Sequence, residues 1–167
     1  MKFNIYLVGN QIFSNAQKAI SIQDSKKYGE LKQGKVIYSP FEVLYLVEMK
    51  NAEAYYKDKL ISEGGLIEIL SKKDREFYIK YIVFRDLRKK GQIIKTGLKF
   101  GAEFRVYDKK SPHAKWIVYP IKQSEKIKWG EFIAKNRIAH SIAKKLLIAI
   151  VDSEENIIYY EISWIKP

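Results

Sequence analysis

In the stretch RVYDKKSPHAKWIV, residues 105–118, a tyrosine and a histidine stand on either side of a short basic turn. Tyr107 closes one alternating apolar–polar segment and His113 opens the next, with only DKKSP between them. Two strands joined by such a turn form a hairpin, here over 102–121, so the two side chains can reach a common point. Histidine is the side chain suited to carry a proton near neutral pH, and this chain has only two. A strand tyrosine with a half-buried ring and a polar residue beside a proline turn would give the same pattern. A second group lies in KWGEFIAKNRIAHSIAKK. Read as a helix from about Glu131 to Lys145, it gathers Ile138, Ala139, Ile142 and Leu146 on one side and Arg137, Ser141 and Lys144 on the other. Arg137 and Lys144 then share a polar face, as a functional pair or as the wet side of a surface helix. His140, at the edge of that face, reads as a packing or hydrogen-bonding residue.

These candidates need a scaffold, and the chain has material for one. Its 167 residues suffice for one ordinary domain or two small ones, and 47% hydrophobic with 14% aromatic content is enough for a core. No apolar run reaches the roughly 18 residues that cross a bilayer. The start, MKFNIYLVGNQIF, reads as a strand rather than a signal peptide. No membrane association and a cytoplasmic location are therefore expected. There are no cysteines, which excludes disulfides and thiolate metal sites, and two histidines 27 positions apart do not make a histidine-rich zinc site. Lys and Arg number 31 against 19 Asp and Glu, a net charge of +12. Such an excess favours a polyanionic partner, usually nucleic acid, although a lysine-rich surface also serves solubility or heat resistance. The excess is spread along the chain: residues 1–95 hold 18 basic and 11 acidic side chains, and residues 96–167 hold 13 and 8.

The elements follow from periodicity and punctuation. KFNIYLV alternates as a strand. QKAISI and YGELKQGKVIYSP predict short strands and turns, with Gly34 as a break. Ser39, Pro40 and Glu42 form an N-cap, first-turn proline and capping box, and that helix is expected to break near Asn51 and resume. EGGLIEILSKKD predicts a short helix. DREFYIKYIVFRDLRKK predicts a longer one, closed by Gly91 with cations at its negative end. QIIKTGLKF, GAEFRVYD, HAKWIVYPI, KLLIAIVD and IIYYEISWI predict strands. The fold class is α+β, in two small domains: 1–70, a mixed sheet with helices, and 75–167.

YIVFRDLRKKGQIIKTGLKFGAEFRVYDKKSPHAKWIVYPI followed by NRIAHSIAKKLLIAIVDSEENIIYYEI covers most of residues 81–162, and YSPFEVLYLVE lies in the first domain. In these segments the chain resembles a known family, the archaeal tRNA-splicing endonucleases. The resemblance implies that 75–167 is a catalytic domain of restriction-endonuclease-like α/β architecture. It implies a catalytic set of Tyr107 at the end of FRVY, His113 opening the next strand, and Lys144 in RIAHSIAKK. In that scheme the 2′-hydroxyl attacks the adjacent phosphate. Tyr107 is the general base, His113 the general acid toward the leaving 5′-oxygen, and Lys144 stabilises the charged transition state, with no cofactor and no metal. A free tyrosine titrates near ~10, so the base needs cations that favour its phenolate.

The resemblance further implies RNA contacts at Arg137, which stacks on an unpaired bulge base, and at the carboxyl end, where Trp164 offers a plane. It implies precursor tRNA as substrate, recognised at bulge-helix-bulge junctions. An acidic loop, Asp152, Glu154 and Glu155, and the following strand with Tyr159 are implied as subunit contacts in a tetramer. That tetramer contains either four identical subunits or two catalytic and two structural ones. The rival within this assembly is a non-catalytic RNA-binding subunit. A rival outside it is a magnesium-dependent nuclease, which would need clustered carboxylates on adjacent strands. Only EMK at Glu48–Lys50 hints at that, on a predicted helix.

Overall fold

A computed structural model of the protein describes residues 2–97, 101–107 and 111–167. The turn residues Asp108, Lys109 and Lys110, and positions 98–100 of the expected QIIKTGLKF strand, lie outside the described residues. The chain divides into two compact units, Met1–Phe77 and Tyr78–Pro167.

The first unit contains β1 (Phe3–Val8), β2 (Gln11–Ser14), α1 (Gln17–Lys26), β3 (Glu30–Lys32), β4 (Lys35–Ile37), α2 (Pro40–Glu48), β5 (Ala52–Tyr56), β6 (Lys59–Ile61) and α3 (Glu63–Ser71). Its sheet has the order β3-β4-β2-β1-β5-β6, with β1 and β5 parallel and the other neighbours antiparallel. The capping box of α2 forms as its sequence predicts: Ser39 Oγ accepts from the Glu42 N–H, and the Glu42 carboxylate accepts from the Ser39 N–H. Glu42 is buried and also accepts from the Gly29 N–H at 2.8 Å.

Two expectations fail here. QKAISI is not a strand but part of α1, of which only Ala19 is buried. Six residues with three apolar positions do not separate a period of 2 from one of 3.6, and packing of Ala19 decided the matter. The helix expected to resume after Asn51 does not. AEAYY instead becomes β5, and Lys57 and Asp58, both at positive φ (50° and 60°), turn it back into β6. Two successive left-handed residues match the right-handed twist of a hairpin.

The second unit contains α4 (Phe77–Lys89), which starts at the boundary, then β7 (Ile93–Thr96), β8 (Phe104–Tyr107), β9 (Ala114–Lys122), α5 (Trp129–Ser141), β10 (Lys145–Val151) and β11 (Ile157–Ile162). The sheet order is β11-β10-β9-β8-β7, and only β9 and β10 run parallel. Helix α4 lies on one face, with Phe84 against Phe104 at 5.9 Å. Helix α5 covers the other, where Ala139 packs with Ile117, Tyr119, Ile121, Leu146 and Ile148. Fully burying each such aliphatic side chain stabilises by about 1.5–3 kcal/mol. The protein is thus α+β with two mixed sheets. Helix α5 is shorter than the expected 131–145, because the chain turns out of it after Ser141. The last strand stops at Ile162, short of Trp164.

The unit boundary also redistributes the charge. Residues 1–77 carry 12 basic and 10 acidic side chains, and residues 78–167 carry 19 and 9. The excess that looked even along the sequence therefore belongs almost wholly to the second unit.

Gly97 sets the path into β8. A Cβ at this position would stand 2.8 Å from the Ala102 carbonyl oxygen and 3.0 Å from the Phe104 carbonyl carbon. The Gly97 N–H donates to the Glu103 carbonyl at 2.8 Å. Backbone cannot yield as a flexible side chain can, so Gly97→Ala is expected to destabilise the protein by about 1–3 kcal/mol, read as a fall in thermal midpoint. An unchanged midpoint would show that this approach does not constrain β8.

Candidate active site

Three neighbouring strands determine one edge of the second sheet. β8 is antiparallel to β9, and β9 is parallel to β10. The carboxyl end of β8 and the amino ends of β9 and β10 therefore meet at the same edge. Tyr107 is the last residue of β8, His113 immediately precedes β9, and Lys144 immediately precedes β10. With strands spaced about 4.8 Å apart, the backbones of Tyr107 and Lys144 are roughly 10 Å apart, with His113 entering between them. A bulge marks this corner. Val106 faces Trp116 but Tyr107 faces Ala114, which leaves Lys115 as the extra residue on β9. Such bulges re-aim side chains at sheet edges.

Each position has local support. Tyr107 is half-buried, and the Arg105 guanidinium lies 5.9 Å from its ring centroid. Arg105 is itself anchored, its Nε donating to the Thr96 carbonyl at 3.0 Å. The sequence reading missed Arg105, although two residues apart on one strand means one face. His113 is exposed. Its N–H donates to Ser111 Oγ, and that hydroxyl reaches its carbonyl, both at 3.2 Å.

Lys144 follows a helix end of Schellman type. The Lys144 N–H reaches the Ala139 carbonyl at 2.9 Å, and the Ala143 N–H reaches that of His140 at 3.0 Å. Ala143 has φ 53°, in the left-handed region that glycine usually fills. Lys144 therefore enters the edge from a tight cap, not from the polar face of a helix it shares with Arg137.

Glu161 on β11 is a second residue that sequence reasoning missed. It accepts from Trp116 Nε1 at 2.7 Å and from Lys145, tying β9, β10 and β11 together beside the edge. The Lys145 hydrogen bond, then that of Trp116, hold its carboxyl below the ordinary range. The contact spans 45 positions and leaves no local pattern.

Arg137 is exposed on α5. Trp164, beyond β11, is 57% exposed, and its ring meets that of His140 at 4.4 Å and 64°. His140 and Arg137 are three apart on the helix, which makes them neighbours on its surface. Trp164 thus sits beside the patch that carries Arg137.

The acidic loop is engaged within its own unit. Asp152 accepts from the Glu154 and Asn156 N–H groups, both at 2.8 Å, and from the Asn156 amide at 3.0 Å. The Asn156 hydrogen bonds hold its carboxyl below the usual range. Glu155 pairs with Arg85 at 2.8 Å and accepts from Tyr78 at 2.9 Å. The Glu154 carboxylate is exposed and has no partner among the described residues. Tyr159 donates to Asp86 Oδ2 at 2.6 Å, and Lys90 covers its ring at 4.8 Å. Among the described residues no three His, Asp or Glu side chains gather as metal ligands, and no helix is long and apolar enough to cross a membrane. Glu48 ends α2, in the first unit.

Residues 77–159 match the family described as tRNA intron endonuclease, catalytic C-terminal domain. A tRNA-splicing endonuclease of Pyrococcus abyssi is 38% identical over 162 residues, covering 96% of this chain and 95% of that protein. Proteins of the same name from Methanothermobacter thermautotrophicus and Nanoarchaeum equitans are 38% and 40% identical, over 84% and 75% of this chain and 84% and 87% of theirs.

Two outcomes follow from this geometry. Burial first, and then the hydrogen bond and charge of Asp86, push the Tyr159 phenol above its ordinary value. A raised folded value means that the contribution is complete below the unfolded pKa and is lost as pH rises past about 10. Tyr159→Phe should lower stability at neutral pH by about 1 kcal/mol and flatten the alkaline decline in denaturant titrations. It should not abolish that decline, because burial also raises Tyr38 and Tyr119. An identical decline in the variant would refute the assignment. Ala143→Gly should be neutral to stabilising, by up to about 1 kcal/mol, since glycine relieves the left-handed strain. Loss of stability on chemical denaturation would contradict the cap described here.

Proposed function

The chain belongs to the tRNA intron endonuclease family, and from that premise we propose that it cleaves precursor tRNA at bulge-helix-bulge exon–intron junctions by a metal-independent transesterification. The observation that carries this reading is the meeting of Tyr107, His113 and Lys144 at one edge of three adjacent strands. A scissile phosphate at that edge has a base on one side, an acid on the other and a cation beside it. Tyr107 takes the proton of the 2′-hydroxyl, with the anchored Arg105 beside its ring. The 2′-oxygen bonds to phosphorus, and the bond to the 5′-oxygen breaks. His113 delivers the proton to the leaving oxygen, and Lys144 stabilises the charged phosphorane. The products are a 2′,3′-cyclic phosphate and a 5′-hydroxyl, and no cofactor takes part.

Arg137 and Trp164 hold an unpaired bulge base, because guanidinium and indole planes both stack on nucleobases. The catalytic unit's charge, 19 basic against 9 acidic side chains, suits a phosphate backbone. Two cuts in one RNA call for two active sites at a fixed separation, and assembly into a tetramer supplies them, with identical or structural partner subunits. The edge strand β11 supports pairing between copies. Ile158 and Tyr160 project 59% and 54% exposed from a strand whose outer side is unpaired among the described residues. Glu154 is the acidic-loop side chain left available to a partner.

The test is cleavage of an intron-containing precursor tRNA in EDTA, with end groups and native mass measured together. Cyclic phosphate and 5′-hydroxyl ends from a tetramer are expected, and His113→Ala is expected to cut roughly 10²–10⁴-fold more slowly while still binding. Unimpaired cutting by that variant would overturn the catalytic assignment. Binding without cutting by the unmodified chain would favour a non-catalytic RNA-binding subunit.

A further inference from the structure

Helix α5 carries more exposed chemistry than the proposed bulge contact uses. Trp129, Ile133 and Arg137 are spaced four apart, and His140 follows three later. At 100° per residue these four fall within a sector of about 80° and form one stripe along the helix. The side that packs is centred away from this stripe, on Ile138, Ala139 and Ile142, with Phe132 at its border. Trp129 is 78% exposed and Ile133 47%, and both Arg137 and His140 are exposed. A tryptophan so open to water is unusual. This one is held in place, because its ring stands edge-on to Phe132 at 5.6 Å and 89°. The stripe ends at its carboxyl side on His140, with Trp164 packed against it.

The surroundings point to a polyanion and not to an apolar protein partner. Residues 122–145 contain seven Lys and Arg against two Glu. Protein interfaces deplete lysine from their cores, whereas aromatic planes interleaved with cations are the usual platform for unpaired nucleotides. Gly130 follows Trp129 in the first turn of the helix, and a Cβ added there would meet nothing within 4 Å. The surface there is open to a chain approaching closely.

We propose that this stripe is one RNA-contact line in which Trp129 stacks on a second nucleobase. That base lies about 12 Å along the helix from Arg137, on the side away from the catalytic edge. The assignment rests on the reading that the substrate is an RNA with unpaired bases, and it adds a remote contact that sets affinity. Trp129 does not touch the reacting atoms.

The test is the dissociation constant of labelled, uncut precursor tRNA at fixed salt, measured in a His113→Ala background so that the RNA stays intact. Trp129→Ala should bind about 5- to 100-fold more weakly. Its salt dependence should stay unchanged, since no charge is removed, and so should its native mass. Trp129→Phe, which keeps a stacking plane, should stay within about threefold of the parent. Equal affinity for Trp129→Ala, a loss in Trp129→Phe as large as in Trp129→Ala, or a change in native mass would overturn the proposal, the last by showing a contact between copies. Tryptophan-dependent binding without cleavage by the unmodified chain would sink the cleavage reading alone. Cleavage with tryptophan-independent binding would sink the stripe alone.

Discussion

The parallel pairing of β9 with β10 is the constraint on which the candidate site depends. Two parallel strands cannot be joined by a tight turn. The chain must leave the far end of β9, cross the sheet and re-enter beside its start. Helix α5 makes that crossing, so its carboxyl end returns to the edge where β9 begins. The β8–β9 hairpin brings the end of β8 to the same edge. Residues at positions 107, 113 and 144 become neighbours because strand directions leave them no other place. The register Lys145↔Trp116 fixes how far each projects, and the buried row of Ile117, Leu146 and Ile148 under α5 holds that register. A slip of one residue would turn this row to the other face of the sheet.

The edge itself is built from weaker and more exposed parts. His113 is exposed, Ala143 holds a left-handed conformation, and Lys115 is displaced as a bulge. Their order comes from below: Glu161 ties three strands together, and Arg105 is anchored to Thr96. Functional groups on connections carried by a packed sheet are a common division of labour, since the sheet supplies rigidity and the connections supply reach. Charge follows the same division, for the unit that holds the edge also holds nearly all of the cationic excess.

Local signals suffice where one short-range interaction decides the structure. The Ser39–Glu42 box starts α2, Gly91 at φ 82° follows α4, and the alternation of FRVY and AKWIVY gives β8 and β9. Local signals failed where two periods fit the same few residues. QKAISI became helix because Ala19 found a buried place. AEAYY became strand because β1 offered a parallel partner, with Phe3 opposite Ala52. The end of α5 was misplaced by four residues, since alanine at a left-handed cap carries no sequence signal of the kind glycine gives.

By itself the sequence determined the α+β class, the cationic balance and the hairpin that separates Tyr107 from His113, and FRVY and RIAHSIAKK carry the resemblance that implies the candidate side chains. Only the tertiary structure decided what those side chains stand beside. Lys144 enters from a helix cap, Arg105 flanks Tyr107, and Glu161 bridges Trp116 and Lys145. Asp152, Glu155 and Tyr159 are engaged within their own unit. Trp129 is left standing in water on the stripe that contains Arg137. Periodicity and capping act over three or four residues and are written in the local sequence. Strand direction, cross-strand pairs and exposure depend on contacts between residues tens of positions apart, and these come into being only when the sheet closes.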